Sequence, residues 1–80
     1  MEKVILYTKA DCHLCELACH VLLNLACDIP LHIDMVDITQ THHIELRYME
    51  RIPVLAQPDV AIELNWPFTM EDVRAYLTHQ

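Results

Sequence analysis

The sequence predicts a single α/β domain whose strands and helices follow the order β-α-β-α-β-β-α. Three observations indicate this fold class. A continuous apolar run near the N-terminus is typical of a strand buried on both faces, and an amphipathic segment follows it. Two further apolar runs, separated by turn residues, precede a last amphipathic segment. At 80 residues the chain supports one hydrophobic core, so we expect one domain over residues 1–80.

The first half of the chain reads as a βαβ unit. Residues 3–7 are rich in β-branched and aromatic side chains, which predicts a central strand. Residues 14–26 repeat apolar side chains at helical spacing and predict a mostly buried helix. Residues 31–36 alternate between apolar and polar side chains, as expected for an edge strand. A strand, a crossover helix and a second strand at this spacing imply that the two strands are parallel.

The second half predicts a hairpin and a final helix. Residues 40–50 are weakly helical in pattern. Residues 53–56 and 60–64 predict two short strands, and the three residues between them, Gln-Pro-Asp, have turn chemistry. Thr69 and Asp72 resemble a capping box with Asp in place of Glu, and they predict the start of the last helix.

Composition restricts the classes of partner and the compartment. The formal net charge of −7 would repel phosphate backbones and anionic lipid, so we expect neither nucleic acid nor membrane as a partner. The N-terminal apolar run is too short for the core of a signal peptide. We therefore expect a cytoplasmic protein. Thiols are kept reduced there, so a close cysteine pair is more often catalytic or metal-binding than structural.

Cys12 and Cys15 form a C-x-x-C pair where the first strand meets the first helix. The first turn of a helix stabilises a thiolate through unpaired backbone N–H groups and the positive end of the helix dipole, and Cys12 is placed there. Asp11 would oppose this effect, and a protonated His13 would assist it. Cys15 lies on the apolar stripe and should be less exposed. This asymmetry favours Cys12 as the attacking thiol and Cys15 as the resolving thiol.

A lone C-x-x-C also fits half of a zinc site, but its place in a βαβ pattern favours redox chemistry. Cys19 lies roughly 10 Å from Cys12 along the helix axis, and Cys27 roughly 18 Å from Cys15. We expect Cys19 to be a small core residue and Cys27 a spectator, with neither thiol reaching the pair.

The histidines add little support for a metal site. His42 and His43 are adjacent and would point in different directions on a helix, so they are poor joint ligands. His32 and Asp34 could chelate a metal from one strand face, although an exposed polar edge is the commoner arrangement. We therefore expect no metal ligands.

The order of elements, the stretch YTKADCHLC at residues 7–15 and the Ile52-Pro53 opening of the hairpin together resemble a glutaredoxin of the thioredoxin superfamily. The ending ELNWPFTMEDVRAYL is more narrowly similar to small bacterial glutaredoxin-like proteins of unassigned function. The resemblance covers nearly the whole chain. It implies a thioredoxin-like fold with a four-stranded mixed sheet and helices on both faces.

The resemblance also implies substrate-binding residues. Ile52 and Pro53 match the place of a cis-proline that faces the cysteines, and the carbonyl and amide of Ile52 would then pair with an extended substrate. Lys9 matches a position that binds a carboxylate of glutathione. For Trp66 two readings stay open: an apolar rim for a protein substrate, or packing onto its own core.

The function implied is that of a thiol-disulfide oxidoreductase acting on protein or small-molecule disulfides, as a monomer with a redox-active Cys12–Cys15 disulfide and no bound cofactor. Glutathione-binding glutaredoxins have a Gly-Gly turn after the last strand, whereas here Leu64 leads into Asn65-Trp66-Pro67-Phe68. We therefore expect glutathione to be a poor reductant and a dithiol reductase to serve instead. The alternatives are a non-catalytic interaction module with a thioredoxin fold and a metal or iron-sulfur carrier that uses Cys12 and Cys15.

Overall fold

The computed structural model describes residues 2–78. The strands are β1 (Glu2–Thr8), β2 (Leu31–Asp37), β3 (Val54–Ala56) and β4 (Leu64–Asn65). The helices are α1 (His13–Ala26), α2 (His42–Tyr48) and α3 (Met70–Thr78), with a short 3₁₀ turn, Ile38–Gln40, between β2 and α2. Within the described residues, no helix is both long enough and apolar enough to span a bilayer.

The four strands form one mixed sheet in the order β2-β1-β3-β4. Strand β1 runs parallel to β2 and antiparallel to β3, and β3 runs antiparallel to β4. The central position of β1, the edge position of β2 and the parallel βαβ unit are thus confirmed. The α/β fold class and the thioredoxin-like order of elements are confirmed as well.

Successive residues of β1 point to opposite faces of the sheet, and each face has its own apolar core. Leu6 and its partner Leu55 belong to the larger core, where side chains of α1 and α3 pack. Tyr7 and its partner Val54 lie on the other face, against Ile38 and Tyr48. The helices therefore cover both faces, as the sequence resemblance implies.

Helix α1 is held by an apolar stripe at helical spacing. Ala18, Leu22 and Leu25 are fully buried and pack against Val4 and Leu6 of the central strand. These contacts fix the position of α1 on the sheet, and with it the position of the cysteines at its first turn.

The prediction that residues 60–64 form the second strand of the hairpin is wrong, because only Leu64 of this range lies in a strand. Asp59 has a left-handed backbone with φ of 63°, and the N–H of Val60 donates to the carbonyl of Gln57 at 3.2 Å. The carbonyl of Ile62 accepts a hydrogen bond from the Tyr76 hydroxyl at 2.5 Å. These contacts satisfy the backbone outside the sheet, so β4 shortens to Leu64–Asn65.

The predicted first hairpin strand, residues 53–56, is one residue too long. It begins at Val54 because Pro53 has no N–H to contribute to the ladder.

The capping box at the start of α3 is present. The side chain of Thr69 accepts the N–H of Asp72 at 3.1 Å, and the side chain of Asp72 accepts the N–H of Thr69 at 2.9 Å. Arg74 of α3 also forms an ion pair with Asp28, just after α1, at 2.9 Å. The box satisfies two backbone donors that the first turn of the helix would otherwise leave without partners.

We expect Thr69→Ala to lower the free energy of unfolding by about 1 kcal/mol, because it removes the hydroxyl that caps α3. Urea denaturation would measure the change. Thr69→Ser is the matched control, since it keeps the hydroxyl and should retain most of the stability. Equal losses in the two variants would show that the hydroxyl is not the stabilising group.

Candidate functional site

The residues predicted to form the site lie toward one edge of the sheet, namely the end at which strand β1 finishes. The last row of the ladder contains one residue each from β1, β3 and β4: Tyr7, Val54 and Asn65. Continuing this register by one residue brings Thr8, Pro53 and Trp66 to the same edge. The chain leaves β1 at this edge and enters α1, so the cysteine pair lies at the same end of the domain. Two peptide bonds here, Ile52–Pro53 and Trp66–Pro67, are cis.

Cys12 and Cys15 are joined by a disulfide at the first turn of α1, with their Cα atoms 5.2 Å apart. Cys12 is the N-cap residue, and the backbone N–H of Cys15 donates to its sulfur at 3.2 Å. Cys15 is only 3% exposed, whereas Cys12 is half-buried. The expected difference in exposure is therefore present, while the separate roles of the two sulfurs stay a prediction.

The turn between β1 and α1 depends on Asp11, which has a left-handed backbone with φ of 58°. Asp and Asn reach this conformation more readily than other non-glycine residues, and this chain contains no glycine. The sequence analysis missed this role. The signal was available, because Asp11 stands directly before the N-cap, where the chain must change direction.

A cleft of about 190 Å³ lies beside the disulfide and includes Cys12 and Cys15 in its lining. Cys19 also lines it as a free thiol and packs against the main core, as expected for a small core residue, although its place in the cleft was not predicted. That place follows from helical geometry, because Cys15 and Cys19 are four residues apart and share a helix face. Cys27, by contrast, is exposed at the C-terminal end of α1.

Met35 closes the cleft from the neighbouring strand. It pairs with Leu6 in the parallel ladder and so points toward the same face of the sheet. Because β2 is the edge strand, Met35 stays 50% exposed. The alternating pattern of β2 predicts the face on which Met35 lies. It does not predict contact with the cysteines, which depends on the register between β1 and β2.

The predicted substrate-binding residues differ in their position relative to this cleft. Lys9 lines it. Pro53 is buried, and Trp66 is half-buried against the main core, with its ring edge-to-face to Phe68 at 5.0 Å. Packing of Trp66 onto its own core is therefore observed, and its role as a rim for the substrate stays a prediction.

One part of the expected substrate clamp is wrong. The amide of Ile52 does not face outward, because it donates to the carbonyl of Tyr48 at 3.1 Å. This bond continues the last turn after α2 and holds the segment that leads into β3. An extended substrate could not use that N–H without displacing the bond.

The histidines considered as metal ligands lie on two separate elements, β2 and α2. His32 and Asp34 contact each other at 3.1 Å on the exposed edge strand. His42 and His43 are exposed at the start of α2. Within residues 2–78, no three His, Cys, Asp or Glu side chains are grouped to hold an ion.

A polar network behind the site was not predicted. Tyr48 stacks on Tyr7 with ring centroids 4.1 Å apart, and its hydroxyl donates to Glu63. Arg51 donates to the other oxygen of Glu63 at 2.8 Å and to Asn65 at 3.1 Å. The network ties α2 and its following turn to the segment that leads into β4. It also supports Tyr7, near the end of the strand that leads to the cysteines.

Electrostatics in this network favour a neutral tyrosine and an ionised glutamate. Burial raises the pKa of Tyr48, and its hydrogen bond to Glu63 raises it further. Burial alone would raise the pKa of Glu63, but the hydrogen bonds from Tyr48 and Arg51 outweigh it and lower the pKa below the ordinary value of 4.5. Tyr48 and Glu63 are 15 residues apart, so no local pattern in the sequence indicates the pair.

The sheet order, the helices on both faces and the C-x-x-C disulfide at the first turn of α1 define a small thioredoxin-like protein. The family described as Glutaredoxin-like domain (DUF836) matches residues 3–78. The chain belongs to this family, which confirms the resemblance seen in the sequence.

Two solved structures of one target protein are similar to this chain. The X-ray structure of Northeast Structural Genomics target protein XcR50 from X. campestris is 34% identical, with a TM-score of 0.83. The match covers 96% of this chain and 97% of that one. The solution structure of the same target gives 34% identity and a TM-score of 0.73, over 100% of this chain and 96% of that one. No curated protein sequence matches the chain significantly.

We expect Glu63→Gln to lower the free energy of unfolding at neutral pH by about 1–3 kcal/mol, because a charged hydrogen-bond acceptor is lost. The folded pKa of Glu63 is depressed, so its ionised form stabilises the fold above about pH 4.5. That contribution is lost as the pH falls through the folded pKa. The stability difference between wild type and Glu63→Gln should therefore shrink in acid.

Urea unfolding at a series of pH values would measure this difference. Glu50→Gln is the matched control, since Glu50 is exposed and lies just beyond α2. A stability difference for Glu63→Gln that stays constant from neutral to acid pH would contradict the assignment.

Proposed function

We propose that the protein is a thiol-disulfide oxidoreductase that cycles between the Cys12–Cys15 disulfide and the dithiol. The observation that carries this proposal is the asymmetry of the pair. Cys12 is half-buried, caps α1 and accepts the N–H of Cys15, whereas Cys15 is 3% exposed. A substrate can thus approach one sulfur of the pair, and the other is shielded behind it.

The reaction is two thiol-disulfide exchanges in sequence. The Cys12 thiolate attacks one sulfur of the substrate disulfide, the substrate S–S bond breaks, and one substrate thiolate leaves. The Cys15 thiolate then attacks the sulfur of Cys12 and expels the second substrate thiolate, which forms the Cys12–Cys15 disulfide. Two electrons pass from the dithiol to the substrate, and the two substrate thiolates take up protons.

The helix terminus supports the first step. The N–H of Cys15 points at the sulfur of Cys12, and the positive end of the α1 dipole lies at the same place. Both interactions favour negative charge on the sulfur, which is the attacking form of a thiol and also the form in which it leaves. The buried Cys15 is already joined to Cys12 in the disulfide, which suits a resolving thiol.

The segment at Ile52 and Pro53, together with Trp66, would contact the substrate from the side opposite Met35. The sheet register supports this, since it brings Pro53 and Trp66 to the edge where β1 ends. The amide of Ile52 is engaged with Tyr48, so this contact would rely on side chains and on other backbone groups of the segment.

The electron donor would be a dithiol reductase rather than glutathione. Two carboxylates, Asp11 and Glu16, line the cleft together with Lys9. The chain has no glycine, so the tight turn typical of glutathione-binding relatives cannot form after β4 in the same way. We further propose that the protein works as a monomer in the cytoplasm, where such a reductase would keep the pair reduced.

We expect Cys12→Ser to abolish disulfide reduction, because the attacking sulfur is lost. Cys15→Ser should instead accumulate a mixed disulfide between Cys12 and the substrate, because only the resolving step is lost. Mass spectrometry under non-reducing conditions would detect the adduct. Cys27→Ser is the control and should turn over like wild type, since Cys27 is exposed at the far end of α1.

Equal accumulation of adduct in both site variants would overturn the assigned roles. No turnover in the wild type with any disulfide would favour the interaction-module alternative.

We expect a dithiol reductase of the thioredoxin reductase type to sustain at least about tenfold faster turnover than glutathione with glutathione reductase. The reason is the acidic cleft and the missing glycine turn. Coupled NADPH oxidation with one common disulfide substrate would compare the two systems. Tight glutathione binding by calorimetry, or comparable rates in the two assays, would contradict this expectation.

A further inference from the structure

Acidic side chains outnumber basic ones in the cleft beside the disulfide. Asp11 stands directly before the N-cap, and Glu16 follows Cys15 in the first turn of α1. Both line the cleft, and Lys9 is the cation that lines it with them. His13 approaches Glu16 at 3.9 Å, but both side chains are exposed. The whole chain carries a formal charge of −7, which adds a field of the same sign.

We propose that this cleft selects disulfides that carry positive charge close to sulfur and disfavours disulfides that carry carboxylates. The inference rests on the proposed function and adds a substrate class to it. Asp11 and Glu16 would attract an ammonium or guanidinium group on either side of the substrate sulfur. The apolar side chains of Met35 and Cys19, in the same cleft, would contact the aliphatic carbons between that group and the sulfur.

The expected size of the preference for positively charged disulfides depends on how far the carboxylates of the cleft are exposed to water. The side chain of Glu16 is 68% exposed, so water and salt weaken its field. A single charge pair a few ångströms apart in water changes a rate only about twofold after screening. Two carboxylates, opposed by one lysine and assisted by the net charge of the chain, predict a preference of about threefold to tenfold at low ionic strength.

The test uses three small disulfides that differ in charge: cystamine, which is a dication, dithiodipropionate, which is a dianion, and neutral bis(hydroxyethyl) disulfide. Each is mixed with the fully reduced protein at one fixed pH of about 8, near the ordinary pKa of a thiol. The rate of formation of the Cys12–Cys15 disulfide is followed by acid quenching and peptide mass mapping. Each rate is divided by that of the same disulfide with monothioglycerol, a neutral thiol that differs from the thiols of all three disulfides, which removes differences in intrinsic reactivity.

We expect the corrected rate for cystamine to exceed that for dithiodipropionate by about threefold to tenfold, with the neutral disulfide between them. The ratio should fall toward one in about 1 M salt, where the screening length is only about 3 Å. Glu16→Gln and Asp11→Asn should each reduce the ratio about twofold. Asparagine suits position 11 because it tolerates the left-handed backbone of Asp11.

Glu71→Gln is the matched control. It changes the net charge by the same amount, but Glu71 lies on α3 and does not line the cleft. Its ratio should stay close to that of the wild type.

The outcomes separate the selectivity from the activity. A ratio of one or less in the wild type would overturn the selectivity, and a ratio below one would point to Lys9 as the dominant charge. Equal reductions in all three variants would assign the effect to net charge and would also overturn it. If none of the three disulfides oxidises the Cys12–Cys15 pair, the proposed function itself fails.

Discussion

The packing of α1 against the central strand determines where the cysteine pair of this protein lies. Ala18, Leu22 and Leu25 bury the inner face of the helix on Val4 and Leu6. Because the helix is anchored there, its N-terminus is held at the end of β1, and the N–H of Cys15 is directed at the sulfur of Cys12. Cys15 is buried because it continues the stripe of Ala18, Leu22 and Leu25, whereas Cys12 stays half-buried because it caps the end of the helix.

On the other face of the sheet, an aromatic stack and a set of hydrogen bonds stabilise the edge at which β1 ends. The tyrosine stack of Tyr7 and Tyr48 is apolar packing, whereas the contacts of Glu63 with Tyr48 and Arg51 are charge-assisted hydrogen bonds. Short strands such as β3 and β4 contribute few ladder bonds. The side-chain contacts that Tyr48 and Arg51 make with Glu63, in the long connection between β3 and β4, therefore help to hold that edge in place.

The site combines a sulfur chemistry that needs negative charge with surroundings that are themselves acidic. Backbone N–H groups of α1 can stabilise a thiolate without any cationic side chain. This leaves the charged side chains around the cleft free to act on the substrate. Asp11 has two effects at once, since its backbone conformation turns the chain into α1 and its carboxylate lines the cleft.

Local patterns in the sequence were sufficient for the parts of the molecule that depend on periodicity and capping. The apolar run of β1, the stripe of α1 and the Thr69–Asp72 box each predicted an element that the structure contains, because each signal lies within one short segment of the chain. The C-x-x-C spacing likewise placed both sulfurs at one helix terminus. The family resemblance then supplied the sheet order and the two helical layers.

Tertiary structure decided what depends on residues far apart in the chain. The strand predicted at residues 60–64 was lost because a hydrogen bond from Tyr76 and a turn at Asp59 satisfied its backbone elsewhere. The amide of Ile52 was taken by Tyr48. Met35 joins the cysteine cleft only through the register of β1 with β2. The contacts of Tyr76 and Met35 join residues that are far apart in the chain. They form only because the fold brings the two surfaces together, so the spacing of residues in the sequence does not predict them.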